Sequence, residues 1–222
     1  MTEYFADRAD AGRQLADALR DYAGRRDVVV LALPRGGVPV AFPVAVALRA
    51  PLDVLVVRKL GAPSDPEFAM GAIATGGAVH LQRSAIRTLG VTGAQLADVI
   101  ARETDELQRR EALYRGARQP LPVDGRIAIV VDDGVATGAS MRVALQALRA
   151  RHPACIVAAA PVAPAGTRHA FDDLADAFVT VSQPLRFFGI SQFYGRFEQT
   201  EDDEVRALLD AARARDDGTT SA

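Results

Sequence analysis

Ile127-Ala128-Ile129-Val130-Val131-Asp132-Asp133-Gly134-Val135-Ala136-Thr137-Gly138-Ala139-Ser140-Met141 decides how the chain is read: five apolar residues, two adjacent carboxylates, then a turn of small residues that opens a helix. A solid apolar run of this kind fits a strand buried on both faces, as in a parallel sheet covered by helices. It delivers Asp132 and Asp133 to the carboxyl edge of the sheet, where open α/β folds place ligands. The loop of Ala136, Thr137, Gly138, Ala139 and Ser140 is small enough for its backbone N–H groups to surround an anion, with the field of a helix N-terminus behind it. Two carboxylates beside an anion cradle repel that anion, so they suit hydroxyl groups on the same ligand, as on a sugar phosphate. Neighbours within a strand point to opposite faces; both acids can reach one sugar only after the strand has ended, which Gly134 permits. No Gly-Lys-Ser/Thr tripeptide occurs, and adjacent acids lack the two-residue offset of an aspartyl phosphatase.

Around this stretch, short valine-rich runs at 28–33, 54–57, 127–131, 156–160 and 177–181 alternate with stretches at helical spacing. The alternation predicts an α/β fold with five core strands and crossover helices over 38–48, 140–149 and 166–174. Further helices are expected over 10–22, over 95–114 behind a capping box of Thr92 and Gln95, and from near Glu201. Gly76-Gly77 between two strand-like runs reads as a hairpin, within an insertion at about 61–118 that is longer than a crossover requires. One domain over 1–214, with its core at 28–194 and a disordered tail at 215–222, completes the expectation.

The 222 residues are 49% hydrophobic and 24% charged, with 26 basic and 28 acidic side chains and a formal charge of −2, so no duplex-coating or membrane-surface role is indicated. Cys155 is the sole cysteine, which excludes an internal disulfide and a cysteine-based zinc site. With no basic stretch leading into an apolar core and no membrane-length apolar run, a cytoplasmic location is expected.

Two further stretches carry charge at strand ends. In Leu33-Pro34-Arg35-Gly36-Gly37, the glycines let the backbone approach an anion and Arg35 adds a fixed cation, which suits a diphosphate. Arg58-Lys59 is read at the end of the second strand, and Lys59 is the one lysine in a chain whose other basic residues are arginine. Arg109, Arg110, Arg115 and Arg118 are interleaved with acids and read as a solvated helix face.

The order of apolar strand, two acids, small residues, Thr-Gly and helix resembles the phosphoribosyl-diphosphate (PRPP) motif of the type I phosphoribosyltransferases, in a poorly characterised bacterial branch. The resemblance implies a central, mostly parallel five-stranded sheet flanked by helices, with a flexible hairpin insertion and a small hood. It gives Asp132 and Asp133 the ribose hydroxyls, the loop 136–140 the 5′-phosphate, and Arg35, Gly36, Gly37, Arg58 and Lys59 the diphosphate. It implies Mg²⁺ carried mainly by the PRPP phosphates, a nitrogenous base or amine as acceptor, and a homodimer. Phe187 and Phe188, with Phe193 and Tyr194, stand where a base-stacking ring is expected, core packing being the alternative. Ala136 replaces the acid that 6-oxopurine enzymes place there, and Glu67 is a carboxylate that could approach the base, a plain surface carboxylate being the alternative. The competing class is a regulator that senses PRPP or a nucleotide on the same fold; a nucleic-acid partner is disfavoured by the charge balance.

Overall fold

β1 (Val28–Ala32) and β6 (Ile127–Val131) are buried at every residue, as solid apolar runs must be when helices cover both faces of a sheet. The computed structural model describes residues 5–66 and 68–220, the last four by backbone alone. Its central sheet is parallel throughout, in the order β2 (Leu52–Val54), β1, β6, β7 (Cys155–Val162), β8 (Ala177–Ser182). Alternate residues serve opposite faces. Val28, Val30 and Ile129 pack with Leu15 and Leu19 from the N-terminal region, Val44 and Leu48 of α2 (Gly37–Leu48), and Val205 and Leu209 of α6 (Asp202–Thr220). Val29, Leu31 and Val130 pack with Met141, Leu145 and Leu148 of α5 (Ala139–Arg149).

The run at 54–57 is not one strand. β2 ends at Val54, and the chain re-pairs as β3 (Val57–Gly61) in a separate antiparallel sheet with β4 (Ala69–Ala74) and β5 (Ala78–Leu81). The switch is made by Thr75, whose hydroxyl accepts the Val56 N–H at 2.9 Å while its own N–H donates to the Val56 carbonyl at 2.9 Å. The β4–β5 turn holds Gly76 and Gly77 at φ +83° and +77°, the pair of positive angles that glycine supplies at no steric cost. Glu67 lies outside the described residues.

α1 (Arg8–Ala18) and a 3-10 turn at Arg20–Tyr22 replace the expected continuous helix. Pro43 is accommodated inside α2, where a Cβ on Gly12 of α1 would lie 2.4 Å from its ring, so glycine sets the close approach of the two helices. α3 (Arg83–Thr88) leads to α4 (Gly93–Arg115), which begins with the expected capping box of Thr92 and Gln95. The stretch 166–174 forms only a 3-10 turn, Thr167–Phe171; the Arg142 guanidinium takes the Ala170 carbonyl and the Asp173 carboxylate, and Phe171 is buried beneath. α6 is helical as far as Thr220, where a disordered tail was expected from 215; Ser221 and Ala222 lie outside the described residues.

Arg115 corrects the solvated-face reading of α4. Its side chain is 2% exposed, donates through Nε to Asp53 at 2.8 Å, and also reaches the Val54 carbonyl and Thr75. Asp53 in turn accepts the Leu121 N–H at 3.0 Å. The central sheet edge, the second sheet and the end of α4 are thus joined at one buried ion pair. Arg115→Ala leaves Asp53 buried without its cation and should lower the unfolding free energy by about 3–5 kcal/mol. Urea denaturation checks this, and a loss below about 1 kcal/mol would show that the pair does not hold the sheets together.

Candidate functional site

Parallel register brings three strand ends to one edge. The Leu33 N–H donates to the Val131 carbonyl at 2.9 Å and the Asp132 N–H to the Ala159 carbonyl at 3.2 Å, so the β1–α2 loop and the β6–α5 loop lie side by side. The Pro34–Arg35 peptide is cis. A Cβ on Gly36 would lie 2.1 Å from Asp133 Oδ2, and one on Gly37 would lie 2.7 Å from the Val131 carbonyl oxygen. Bare backbone at both positions is what lets the first loop stand against the acid pair.

Asp132 and Asp133 are part-buried where β6 ends. Asp132 Oδ1 accepts the Asp133 N–H at 2.9 Å, and Asp133 Oδ2 accepts Nε of Arg8 at 2.9 Å with Nη2 of the same guanidinium 2.9 Å away as an ion pair. Burial pushes the Asp132 carboxyl well above the usual carboxylate range, and the charge of Asp133 adds to the rise. Burial also raises Asp133, against the lowering pull of the Arg8 guanidinium. Asp132 is therefore the member of the pair that holds a proton more readily.

Beside the acids, residues 132–141 and Ile190 line a cavity of about 150 Å³. Gly138, at φ +77°, turns the loop into α5, and a Cβ there would strike the Phe171 ring at 2.9 Å. Ala136, Thr137, Ala139 and Ser140 are exposed residues at the start of an 11-residue helix, with the Ala139 N–H donating to the Thr137 hydroxyl at 3.4 Å. A second cavity of about 100 Å³ is lined by Leu33, Pro34, Leu55, Val56, Val57, Arg110 and Ser140. It joins the two loops, and Arg110 is its cation.

Arg35 turns toward the N-terminus of α6, 3.7 Å from the Glu201 carboxylate. Arg58 and Lys59 lie within β3 of the second sheet, not at the end of a central strand. Arg58 is held by Glu103 of α4 at 2.7 Å, while Lys59 is exposed. Phe187 stacks on buried Phe193, with ring centroids 5.5 Å apart, which commits it to packing; Phe188 is 90% exposed. Tyr194 is buried between Phe5 and Phe197, and its hydroxyl donates to the Asp133 carbonyl at 2.5 Å. Burial pushes its phenol far above the ordinary tyrosine value.

Arg8 and Arg110 are the site neighbours that the sequence does not announce, and Tyr194, expected among base-stacking or core rings, reaches the site through its hydroxyl instead. Arg8 meets Asp133 across 125 positions, and no local spacing carries that contact. Among the described residues no group of three or more His, Cys, Asp or Glu side chains could hold a metal ion, and no helix is long and apolar enough to cross a membrane.

Comparison with known proteins identifies the fold and the family. Two Mycobacterium tuberculosis proteins, from strains CDC 1551 and H37Rv and each named "Putative phosphoribosyl transferase", are 49% identical to the chain over 208 residues. The match takes in 94% of this chain and 47% of theirs, so the chain spans about half the length of these relatives. The crystal structure of TT1426 from Thermus thermophilus superposes with a TM-score of 0.83 at 41% identity, covering 93% of this chain and 97% of that one. A family model described as the phosphoribosyl transferase domain matches residues 2–194, a span that holds both loops, the acid pair and the second sheet. The chain belongs to the phosphoribosyl transferase domain family.

Proposed function

We propose that the protein transfers the 5-phosphoribosyl group of PRPP to a nitrogenous base or amine and releases diphosphate. One observation carries the reading: a pair of part-buried carboxylates stands between an open small-residue loop at a helix start and a glycine loop that admits no side chain. The 5′-phosphate takes the N–H groups of Ala136, Thr137, Gly138, Ala139 and Ser140. The ribose hydroxyls donate to Asp132 and Asp133. The diphosphate lies along Arg35, Gly36 and Gly37, with Arg58 and Lys59 brought toward it as the second sheet closes.

The acceptor nitrogen attacks C1 of the ribose, the bond from C1 to the diphosphate oxygen breaks, and its electron pair leaves with the diphosphate. Positive charge builds on the ribose ring in the transition state. The two carboxylates stabilise it electrostatically, and the loops hold the reacting atoms in line. The oxygen chemistry of the acid pair suits a magnesium-bearing donor. Mg²⁺ bound to the donor phosphates would neutralise the leaving group, and the ion keeps waters and needs few protein ligands. Ala136, three positions after Asp133, offers no carboxylate for a ring proton, so the acceptor is not expected to be a 6-oxopurine. A homodimer in the cytoplasm belongs to the same reading; sedimentation at micromolar concentration should show twice 23.6 kDa, and a species of 23.6 kDa alone would remove the dimer.

Calorimetry with PRPP and Mg²⁺ should show binding, and a panel of free bases and amines should include one that elicits diphosphate release. Tight PRPP binding with no release across the panel would favour the sensor class, and no binding at all would refute the donor. Asp132→Asn and Asp133→Asn should each weaken PRPP by about 1.5–3 kcal/mol, the value of a charge-assisted hydrogen bond.

Asp132→Asn should not destabilise the ligand-free protein, and the sign follows from its raised carboxyl; Asp133→Asn also takes the carboxylate from Arg8 and so is not the variant to read for stability. Between the ordinary value near 3.9 and the raised one, the folded state retains protons that the unfolded state has released, so stability falls as pH rises through that window. Asp132→Asn removes this loss. Denaturant midpoints near pH 5 and near pH 8 should differ more in the wild type than in the variant. A variant that melts lower yet binds PRPP normally would make these aspartates structural caps.

A further inference from the structure

Arg8 is fixed from three sides. Nε donates to Asp133 Oδ2 at 2.9 Å and Nη2 stands 2.9 Å from the same oxygen as an ion pair, Nη1 donates to the Glu198 carbonyl at 2.6 Å, and the guanidinium lies 3.9 Å over the centroid of the Phe197 ring. Its side chain is 12% exposed. Its backbone is set with equal care. The Phe5 N–H donates to the Phe193 carbonyl, and Gly195 and Arg196 donate to the carbonyls of Phe5 and Ala6, at 2.8 to 3.0 Å. Asp7 then caps α1 by accepting the Asp10 N–H at 2.9 Å, and Arg8 opens the helix.

The consequence falls on the acid pair. Arg8 occupies Oδ2 of Asp133, and the Asp133 N–H occupies Oδ1 of Asp132. Each carboxylate keeps one oxygen with no hydrogen-bond partner among the described residues. Two hydroxyls of a cis-diol need one strong acceptor apiece, and that is the number presented. Without Arg8, Asp133 would face the Asp132 charge with no cation beside it and both of its oxygens free to rotate, since Gly36 leaves the space open.

We infer that Arg8 is a positioning residue for the ribose diol: it holds Asp133 so that one oxygen from each acid faces the two sugar hydroxyls. This rests on the ribose assignment of Asp132 and Asp133 made above. Arg8 acts through Asp133 and touches no reacting atom. A guanidinium suits the task because its planar fork can donate to the carboxylate with one nitrogen, hold its charge beside the same oxygen with another and reach a different acceptor with the third; an ammonium has no such fixed geometry.

The test compares ligands with and without the diol. Wild type, Arg8→Gln, Arg8→Lys, Asp133→Asn and Arg8→Gln/Asp133→Asn are titrated calorimetrically with PRPP, ribose 5-phosphate and inorganic diphosphate, each with Mg²⁺. Arg8→Gln should weaken PRPP and ribose 5-phosphate by about tenfold or more while diphosphate changes by less than about twofold. On the Asp133→Asn background the same change should cost less than about twofold, because the two residues act as one unit. Arg8→Lys should recover part of the loss. Wild-type affinity in Arg8→Gln, equal losses for all three ligands, or full additivity in the double variant would each overturn the inference. If Arg8→Gln does not fold, Arg8→Lys is read alone: a loss confined to the diol ligands supports the role, and no loss or a uniform loss overturns it. Failure of the wild type to bind PRPP would overturn the donor assignment and this inference together, whereas binding that is indifferent to Arg8 would overturn only the inference.

Discussion

Asp132 and Asp133 leave β6 with their charges adjacent and their surroundings largely apolar, so every neighbouring element must either neutralise them or make room for them. Burial alone would favour protonating both. One cation, Arg8, is delivered to Asp133 from 125 positions away. Two glycines after β1 give the carboxylates space that any side chain would fill. Tyr194 holds the Asp133 carbonyl from beneath, which fixes the backbone on which the second carboxylate turns. The repulsion that remains opposes folding, so an acid pair of this kind is kept at some cost to stability.

The second sheet depends on the first through ion pairs rather than a shared ladder. Leaving the central edge after Val54 costs β2 further pairing, and Thr75 recovers the bonds of Val56 from the other side. Arg115 closes that corner by joining Asp53 of β2 to Thr75 at the end of β4. At the other end of the same helix face, Glu103 holds Arg58 of β3. α4 thus carries the second sheet on two charged contacts. It also brings Arg110 to the cavity that joins the Pro34 and Ser140 loops. The cation at that junction belongs to the helix, its Nε paired with Glu106, while Arg58 is paired with Glu103.

Legibility followed the distance over which each constraint acts. The stretch 127–141 could be read closely because strand, acids, turn and helix start are contiguous, and each is dictated by its own residues: a β-rich run, two acids, a glycine at positive φ, a helical repeat. The Gly76-Gly77 hairpin and the Thr92–Gln95 capping box were legible for the same reason. The break at Leu55-Val56 was not, because four valine- and leucine-rich positions look alike whether they continue a strand or cross between sheets, and Thr75, which decides it, is 19 residues away. Gly166 to Leu174 has helical spacing, yet it stops as a 3-10 turn because Arg142 of α5 claims its carbonyl. Phe187 and Phe188 are adjacent in sequence and opposite in fate, one stacked on Phe193 and one in solvent.

The arginines were the least legible residues, and their chemistry explains why. With one lysine among 26 basic residues, composition cannot separate solvated cations from structural ones. Arg109 and Arg110 both pair with Glu106 on an exposed face and hold its carboxyl down at about 2. Arg115, one turn or so further along, is buried to 2%. What distinguishes them is the number of acceptors within reach of the fork. Arg115 meets a carboxylate, a carbonyl and a hydroxyl from two sheets, and Arg8 meets a carboxylate from the middle of the chain and a carbonyl and an aromatic face from its C-terminal part. A guanidinium keeps its charge when desolvated and satisfies several partners in a single plane, so it can be buried where elements converge. Those convergences are tertiary facts. The same side chain that is surface decoration on one turn of α4 is the fastening of two sheets on the next, and only the packing of the elements decides which.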